Sequence, residues 1–334
     1  MAELWFSLMA KLLLFGCVVE LICGAAAVGT LSSSRKLAAL VEEQPLVLTY
    51  HKGPLLSTAP VDVHVVWYGK FSSVQRSIVG DYLQSLGAHL QGKSKKPSVS
   101  TWWMTTGKYK SGDSNQAAVS IARLGKQKID DSYSLGKSLK RTDIAALVES
   151  SVKSKALPLP EKSSNSMYLV LTSEDVTVEG FCMSSCGFHA NISPSANGGK
   201  LLPYAWVGNS ASQCPGQCAW PFHQPIYGPQ APPLIAPNGD VGIDGMIINI
   251  ATVLAGAVTN PFNTGYFQGD AGAPLEAVSA CPGIYGKGAY PGYAGELLVD
   301  ATTGASYNAH GVNGRQFLLP AMWDPVTKSC KTLV

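Results

Sequence analysis

Charge is scarce in this sequence. Asp, Glu, Lys and Arg make up 14% of its 334 residues, against about a quarter in ordinary soluble domains. Histidines are few and scattered: His51, His64, His89, His189, His223 and His310 never come within ten residues of one another. A His-x-x-x-His pair is therefore missing, which excludes the metal helix of a zincin-type protease. There is no Gly-x-Ser-x-Gly elbow to carry a hydrolase serine. "GKGAYPGYAG" has no strand before it or helix after it, so it makes no phosphate cradle. Cysteine is missing between residues 24 and 181, so that part must cohere by packing alone.

What is present suits an extracellular protein. Apolar residues reach 46%, with 34 Gly and 21 Pro, enough for a core with long ordered loops. The start, "KLLLFGCVVELICGAAAVGT", runs from Lys11 through apolar residues to Ala25-Ala26-Ala27. This pattern predicts a signal peptide over residues 1–27. Glu20 breaks the apolar run, and a membrane span wants about 18 uninterrupted apolar residues. No later apolar stretch of that length is free of turn residues, so a soluble secreted protein is expected, with no membrane after cleavage. Cleavage leaves Cys182, Cys186, Cys214, Cys218, Cys281 and Cys330. Six cysteines in an oxidising compartment imply three disulfides in one of 15 pairings. The rival reading of two C-x3-C zinc pairs fits that compartment poorly. The formal charge is +3. Removing Lys11, Glu3 and Glu20 makes the mature chain +4. Lys93–Lys162 holds 14 basic against 6 acidic residues, and the chain from residue 201 holds 4 against 7. A basic stretch can steer an acidic polymer such as pectin, although a solvated lysine surface is the simpler reading.

The hydropathy pattern predicts a mixed α/β fold. "PLVLTYHKGPLL" (45–56) reads as a hairpin and "VDVHVVWYG" (61–69) as a strand buried on both faces. Apolar positions 74, 78, 79, 83 and 86 predict a helix capped by Ser72 or Ser73. Residues 98–109 and 117–125 read as strands, and 142–157 as a helix capped by Thr142. Residues 166–176 and 201–209 read as further strands, with a long cysteine-bearing loop between them. "IINIATVLAGAVTNPF" (247–262) belongs to a helix starting near Val241, apolar on every face and hence buried at the centre. Interleaved strands and helices around such a helix predict a mixed sheet covered by helices. One domain over 28–334 is expected, with an α/β core at 58–262 and a Gly/Tyr/Pro-rich, disulfide-stapled region at 263–334.

Chemistry-bearing residues are harder to find. "QCPGQCAW" (213–220) shares Cys-Ala-Trp with the papain nucleophile segment, but Pro221 blocks the helix that should follow. Only 116 residues remain after Cys218, short of the roughly 130–150 its partners need. Asp240, Asp244, Asp270, Glu276 and Glu296 are the acids from which a glycosidase pair would be drawn, although Asp240 and Asp244 also suit a helix N-terminus. His64 reads as a satisfied core residue and His189 as the best functional histidine. Trp220, Tyr266, Tyr290 and Tyr293 are candidates for a sugar-stacking platform, with core cover as the plainer role. Asn191-Ile192-Ser193 is a glycosylation sequon, followed by Pro194.

"VVWYGKFSSVQRSIV", "FCMSSCGFH", "QCPGQCAWPFHQPIYGPQ", "PNGDVGIDGMIINIATVLAGAVTNPFNTGYFQG" and "LLPAMWDPVTKSC" together resemble the plant EXORDIUM-like, or phosphate-induced, family over nearly the whole mature chain. The resemblance implies a secreted protein of the apoplast or cell wall, linked to brassinosteroid-promoted cell expansion and to carbon or phosphate status. It carries over no enzymatic activity, cofactor or metal. The implied partner is a wall glycan or cell-surface protein, not a nucleic acid. Distant microbial relatives carry His-Glu-x-x-Glu on the equivalent helix, ending in Thr-Asp-Pro. Aligned on Thr259-Asn260-Pro261, that pattern places Thr252, Val253 and Gly256 where the metal-site side chains would stand. The order of elements is also similar to zincin folds, so the resemblance implies a metalloprotease-like scaffold without its metal motif.

Overall fold

The computed structural model describes residues 45–56, 59–88, 96–111, 121–160, 165–183, 185–193 and 201–334. The signal peptide expected over residues 1–27 lies outside the described residues. From Leu46 onward the chain is one compact unit.

Five strands form the central sheet: β1 (Val61–Tyr68), β2 (Ala122–Asp130), β3 (Asn165–Thr172), β4 (Gly187–Ile192) and β5 (Leu202–Gly208). Their order is β2-β1-β3-β5-β4. All neighbours are parallel except β4, which runs antiparallel to β5 along the edge. Parallel strands need crossovers. Helix α1 (Ser73–Ser85) lies between β1 and β2, and α3 (Arg141–Lys153) between β2 and β3; the short helix α2 (Val99–Trp103) follows α1.

The period-two alternation of strand side chains sorts the core into two layers. Val61, Val63, Val65 and Trp67 of β1 join Met167, Leu169 and Leu171 of β3 on one face, packed with Ile78, Val79, Tyr82 and Leu83 of α1. Val66 and Tyr68, with Tyr168 and Val170, face Ile144, Leu147 and Val148 of α3 on the other. The parallel register of Val65 with Leu169 and Val66 with Val170 keeps the two sets in step.

The first face also carries the central helix α5 (Val241–Thr259), which packs on β5 and β4. Asp240 caps it by accepting the Ile243 N–H at 3.0 Å. By length and composition α5 could cross a membrane, yet 83% of its most apolar window is buried inside the protein. It is longer than the apolar run quoted above, and the surrounding core, not lipid, covers it. All of its residues except Val241, Asn249 and Thr252 are buried.

Several sequence readings need correction. The hairpin over 45–56 does not form; Thr49–Tyr50 pairs antiparallel with Tyr266–Phe267 instead, tying the start of the described chain to the segment after α5. Residues 98–109 are helical, not a strand: Ser98 accepts the Thr101 N–H at 3.2 Å, and Trp102 donates to the Pro320 carbonyl at 2.7 Å. The cap of α3 lies two residues earlier than Thr142, at Lys140, whose N–H donates to the Asp143 carboxylate at 2.7 Å. Strand β4 lies in what reads as a cysteine loop. After α5 the chain forms only two-residue and three-residue strand pairs.

The disulfides are Cys182–Cys214, Cys186–Cys218 and Cys281–Cys330. The first two join the loop before β4 to the short helix α4 (Pro215–Cys218). The third staples the C-terminal region to itself. Every cysteine among the described residues is thus spent on a crosslink.

Candidate functional site

The three positions of α5 singled out by the sequence hold no chemistry of their own. The Thr252 hydroxyl donates to the Ile248 carbonyl one turn back, at 2.9 Å. Val253 is buried in the main core and faces Gly187 of β4. Gly256 carries no side chain, and its space is occupied. A Cβ there would stand 2.5 Å from Oε2 of Glu276 and 3.1 Å from Nε2 of His189. The other uncharged polar side chains of the helix are also absorbed by backbone: Asn249 donates to the Cys218 and Gly245 carbonyls, and Thr259 to the Ala255 carbonyl.

His189 and Glu276 meet on that glycine. The imidazole Nε2 lies 3.0 and 2.9 Å from the two carboxylate oxygens, and both side chains are nearly buried. Asn260, the C-cap of α5, donates to Oε1 of Glu276 at 2.7 Å and accepts the Gly265 N–H at 2.8 Å. The pair therefore joins the sheet edge, the end of α5 and the C-terminal region. One imidazole and one carboxylate have the composition of a proton-transfer dyad. Here both carboxylate oxygens are engaged by neighbours, and the dyad closes over helix backbone. Among the described residues, no three His, Cys, Asp or Glu side chains converge on a point that could hold a metal ion.

The other acids do not pair for catalysis. Asp240 caps α5 and accepts from Gln75 Nε2 at 3.0 Å. Asp244 accepts from the Asn238 N–H at 2.9 Å and from its amide at 2.7 Å. Burial pushes the Asp244 carboxyl up to about 7; the Asn238 hydrogen bonds and Arg315 oppose the rise, and Asp240 adds to it. Asp270 lies in an exposed turn, and Glu296 bridges to Lys287 through backbone. The two withdrawn acids, Asp244 and Glu276, sit at opposite ends of α5. Twelve residues separate Asp244 from Gly256, about 18 Å along the axis, roughly twice the widest spacing of a glycosidase pair.

The predicted binding aromatics split into two places. Trp220 and Tyr290 line one open groove of about 490 Å³. Tyr227, which the sequence reading passed over, lines it too and is 88% exposed. Tyr293 packs against Tyr290 with ring centroids 5.1 Å apart. Tyr266 lies elsewhere, stacked on Tyr50 at 4.9 Å and donating to the Lys110 carbonyl. The groove was legible only in part, because the strand pairing of Tyr290 with Tyr293 and the fold of the proline loop bring distant residues together. Asn191 is exposed on edge strand β4, not in a loop. His64 accepts the Lys126 N–H at 3.0 Å and belongs to the core.

Residues 48–333 match a family described as the phosphate-induced protein 1 conserved region. The chain belongs to the phosphate-induced protein family. EXORDIUM-like 2 of Arabidopsis thaliana is 57% identical over 302 residues, covering 89% of this chain and 93% of the relative. PHOSPHATE-INDUCED 1 of Nicotiana tabacum is 54% identical over 305 residues (90% and 93%), and EXORDIUM of Arabidopsis thaliana is 54% identical over 308 (90% and 94%). None of these names states a reaction. No solved structure matches the chain. The phosphate-induced family thus embraces the sheet, the central helix and the stapled C-terminal region together.

Proposed function

We propose that this chain is a secreted, non-catalytic protein of the plant cell-wall space that acts in growth control by binding a wall component or a cell-surface protein. The family membership supports the setting. The single observation that carries the non-catalytic reading is the environment of Thr252, Val253 and Gly256. A hydroxyl returned to its own helix, a buried aliphatic chain and a glycine offer nothing to ligate zinc or polarise water.

Strand, helix, further strands and then a long central helix is the order on which the zincin likeness rests. In that reading the metal helix has been converted to core, and His189 with Glu276 fills the space above it.

Protein purified from the culture medium tests this. Its first residue should be Val28, and elemental analysis should find no stoichiometric zinc. Peptide libraries should stay uncut with or without added metal. Tightly bound zinc at one per chain, with peptide cleavage abolished by a chelator, would contradict the proposal.

A further inference from the structure

We propose that the groove between Trp220, Tyr227 and Tyr290 binds a neutral polysaccharide whose sugar rings present flat C–H faces. This inference rests on the reading of the chain as a binding protein and names the ligand class.

The chemistry of the walls makes the choice. Among the described residues, no charged side chain lines the groove, so a polymer carrying a carboxylate on each ring would lose hydration there without a partner. The aromatic rings supply apolar faces, and their polar edges provide hydroxyl and indole N–H groups. Tyr227 and Tyr290 are 88% and 64% exposed, far more than core cover requires. Trp220 is anchored from below. It packs on a small core cluster with Phe222, Ile248 and Tyr285, and its carbonyl accepts from the Tyr285 hydroxyl at 3.3 Å. Trp220, and Tyr290 through its packing on Tyr293, are therefore held before a ligand arrives, which limits the ordering cost of binding.

The loop backbones are held close as well. Gly292 takes φ +91°, and a Cβ there would come 2.5 Å from Pro229. Gly283 takes φ +71° under the Trp220 ring. At Gly292 glycine meets both demands, a left-handed backbone and close approach; at Gly283 the left-handed backbone alone favours it, since a Cβ would meet the Trp220 ring at 3.7 Å.

A proline-rich peptide is the rival occupant, since such segments dock in aromatic grooves. Hydrogen-bond versatility favours the sugar. Pro225, Pro229, Pro282 and Pro291 line the groove and offer carbonyls but no N–H. A proline-rich segment likewise brings carbonyls and few donors. Sugar hydroxyls both donate and accept, so they can answer the tyrosine hydroxyls of the groove as well as its carbonyls, whereas a proline-rich segment answers only the donors.

The test is affinity electrophoresis of the full mature protein through gels holding hydroxyethylcellulose, xyloglucan, glucomannan or polygalacturonate, with fluorescence titration against a poly-L-proline peptide. Retardation by at least one neutral polysaccharide is expected, unchanged between low and about 0.5 M salt. Tyr227→Ala and Tyr290→Ala should each weaken it about tenfold, while near-ultraviolet circular dichroism shows the fold intact. Binding only to polygalacturonate, binding only to the proline peptide, binding untouched by both substitutions, or no retardation at all would overturn the inference. The first three would leave the non-catalytic binding role standing. Shortening of the retained polysaccharide would instead overturn that role.

Discussion

Replacing Gly256 by glutamate is expected to lower the unfolding free energy by about 4 kcal/mol. The substitution restores one residue of the metal-helix pattern, so an open catalytic crevice would accept it. In this fold the new carboxylate enters the space held by Glu276 and His189, where even a Cβ comes within 2.5 Å of Oε2. The Glu276 carboxylate can retreat only by giving up His189 or Asn260, and a charge-assisted hydrogen bond of this kind is worth about 1.5–3 kcal/mol. Two nearly buried carboxylates then repel each other. Alanine at the same place gives the sign test. Glycine to alanine in a helix interior ordinarily gains about 1 kcal/mol, but here the displaced carboxylate reverses it to a net loss of about 1 kcal/mol. Urea unfolding midpoints measure both variants. Adding Glu276→Gln to Gly256→Glu should recover part of the loss by removing the repulsion. Wild-type stability in Gly256→Glu would mean that the space above the helix is open.

The second large effect is a pH dependence set by Asp244. Its folded-state pKa is raised to about 7, from about 4 in the unfolded chain. A raised acid contributes stability that is fully present below about pH 4 and is lost as pH rises through 7. Between pH 5 and pH 8 this one group should remove about 2–3 kcal/mol. Asp244→Asn keeps the shape and an acceptor for Asn238 but cannot ionise, so the variant should lose that much less over the same interval. Comparing wild type with variant cancels the titration of all other groups. Equal slopes for the two proteins would show that Asp244 is ionised and adequately paired throughout, with Arg315 and Asn238 outweighing its burial.

The parts of the fold written in local pattern were legible in the sequence. Strands β1, β3 and β5 announce themselves as apolar runs, and their period-two alternation sorts into the two core layers. The capping box at Ser72 and Gln75 and the Asp240 cap mark the starts of α1 and α5. What local pattern cannot show is partnership over distance. Residues 45–56 alternate like a hairpin, yet β-branched and apolar alternation says only that a segment pairs, not with what; Thr49 pairs with Phe267. Residues 98–109 have the β-branched and aromatic content of a strand, but buried Trp102 and Trp103 favour a short helix through tertiary packing. Strand β4 was hidden because its residues are only half-buried and flanked by cysteines.

The site was legible by residue type and not by arrangement. His189 stood out as a histidine beside the cysteines, but its partner Glu276 lies 87 positions away in an irregular segment. Gly256 reads simply as a small residue in an apolar helix. Its importance lies in what rests on it, which only the meeting of β4, α5 and the C-terminal region creates. Tyr227 was missed because a tyrosine in a proline-rich Pro-Ile-Tyr-Gly-Pro loop looks like ordinary loop filler, and its exposure beside Tyr290 is a property of the fold.

Amide hydrogen exchange along α5 tests the central claim most directly. If this helix is core with nothing working on its surface, the amides from Ile247 to Val258 should exchange only through global unfolding, as slowly as those of β1 and β3, and added zinc should change nothing. Exchange over this stretch on the timescale of the surface loops, or protection that appears when zinc is added, would show a working crevice and contradict the account.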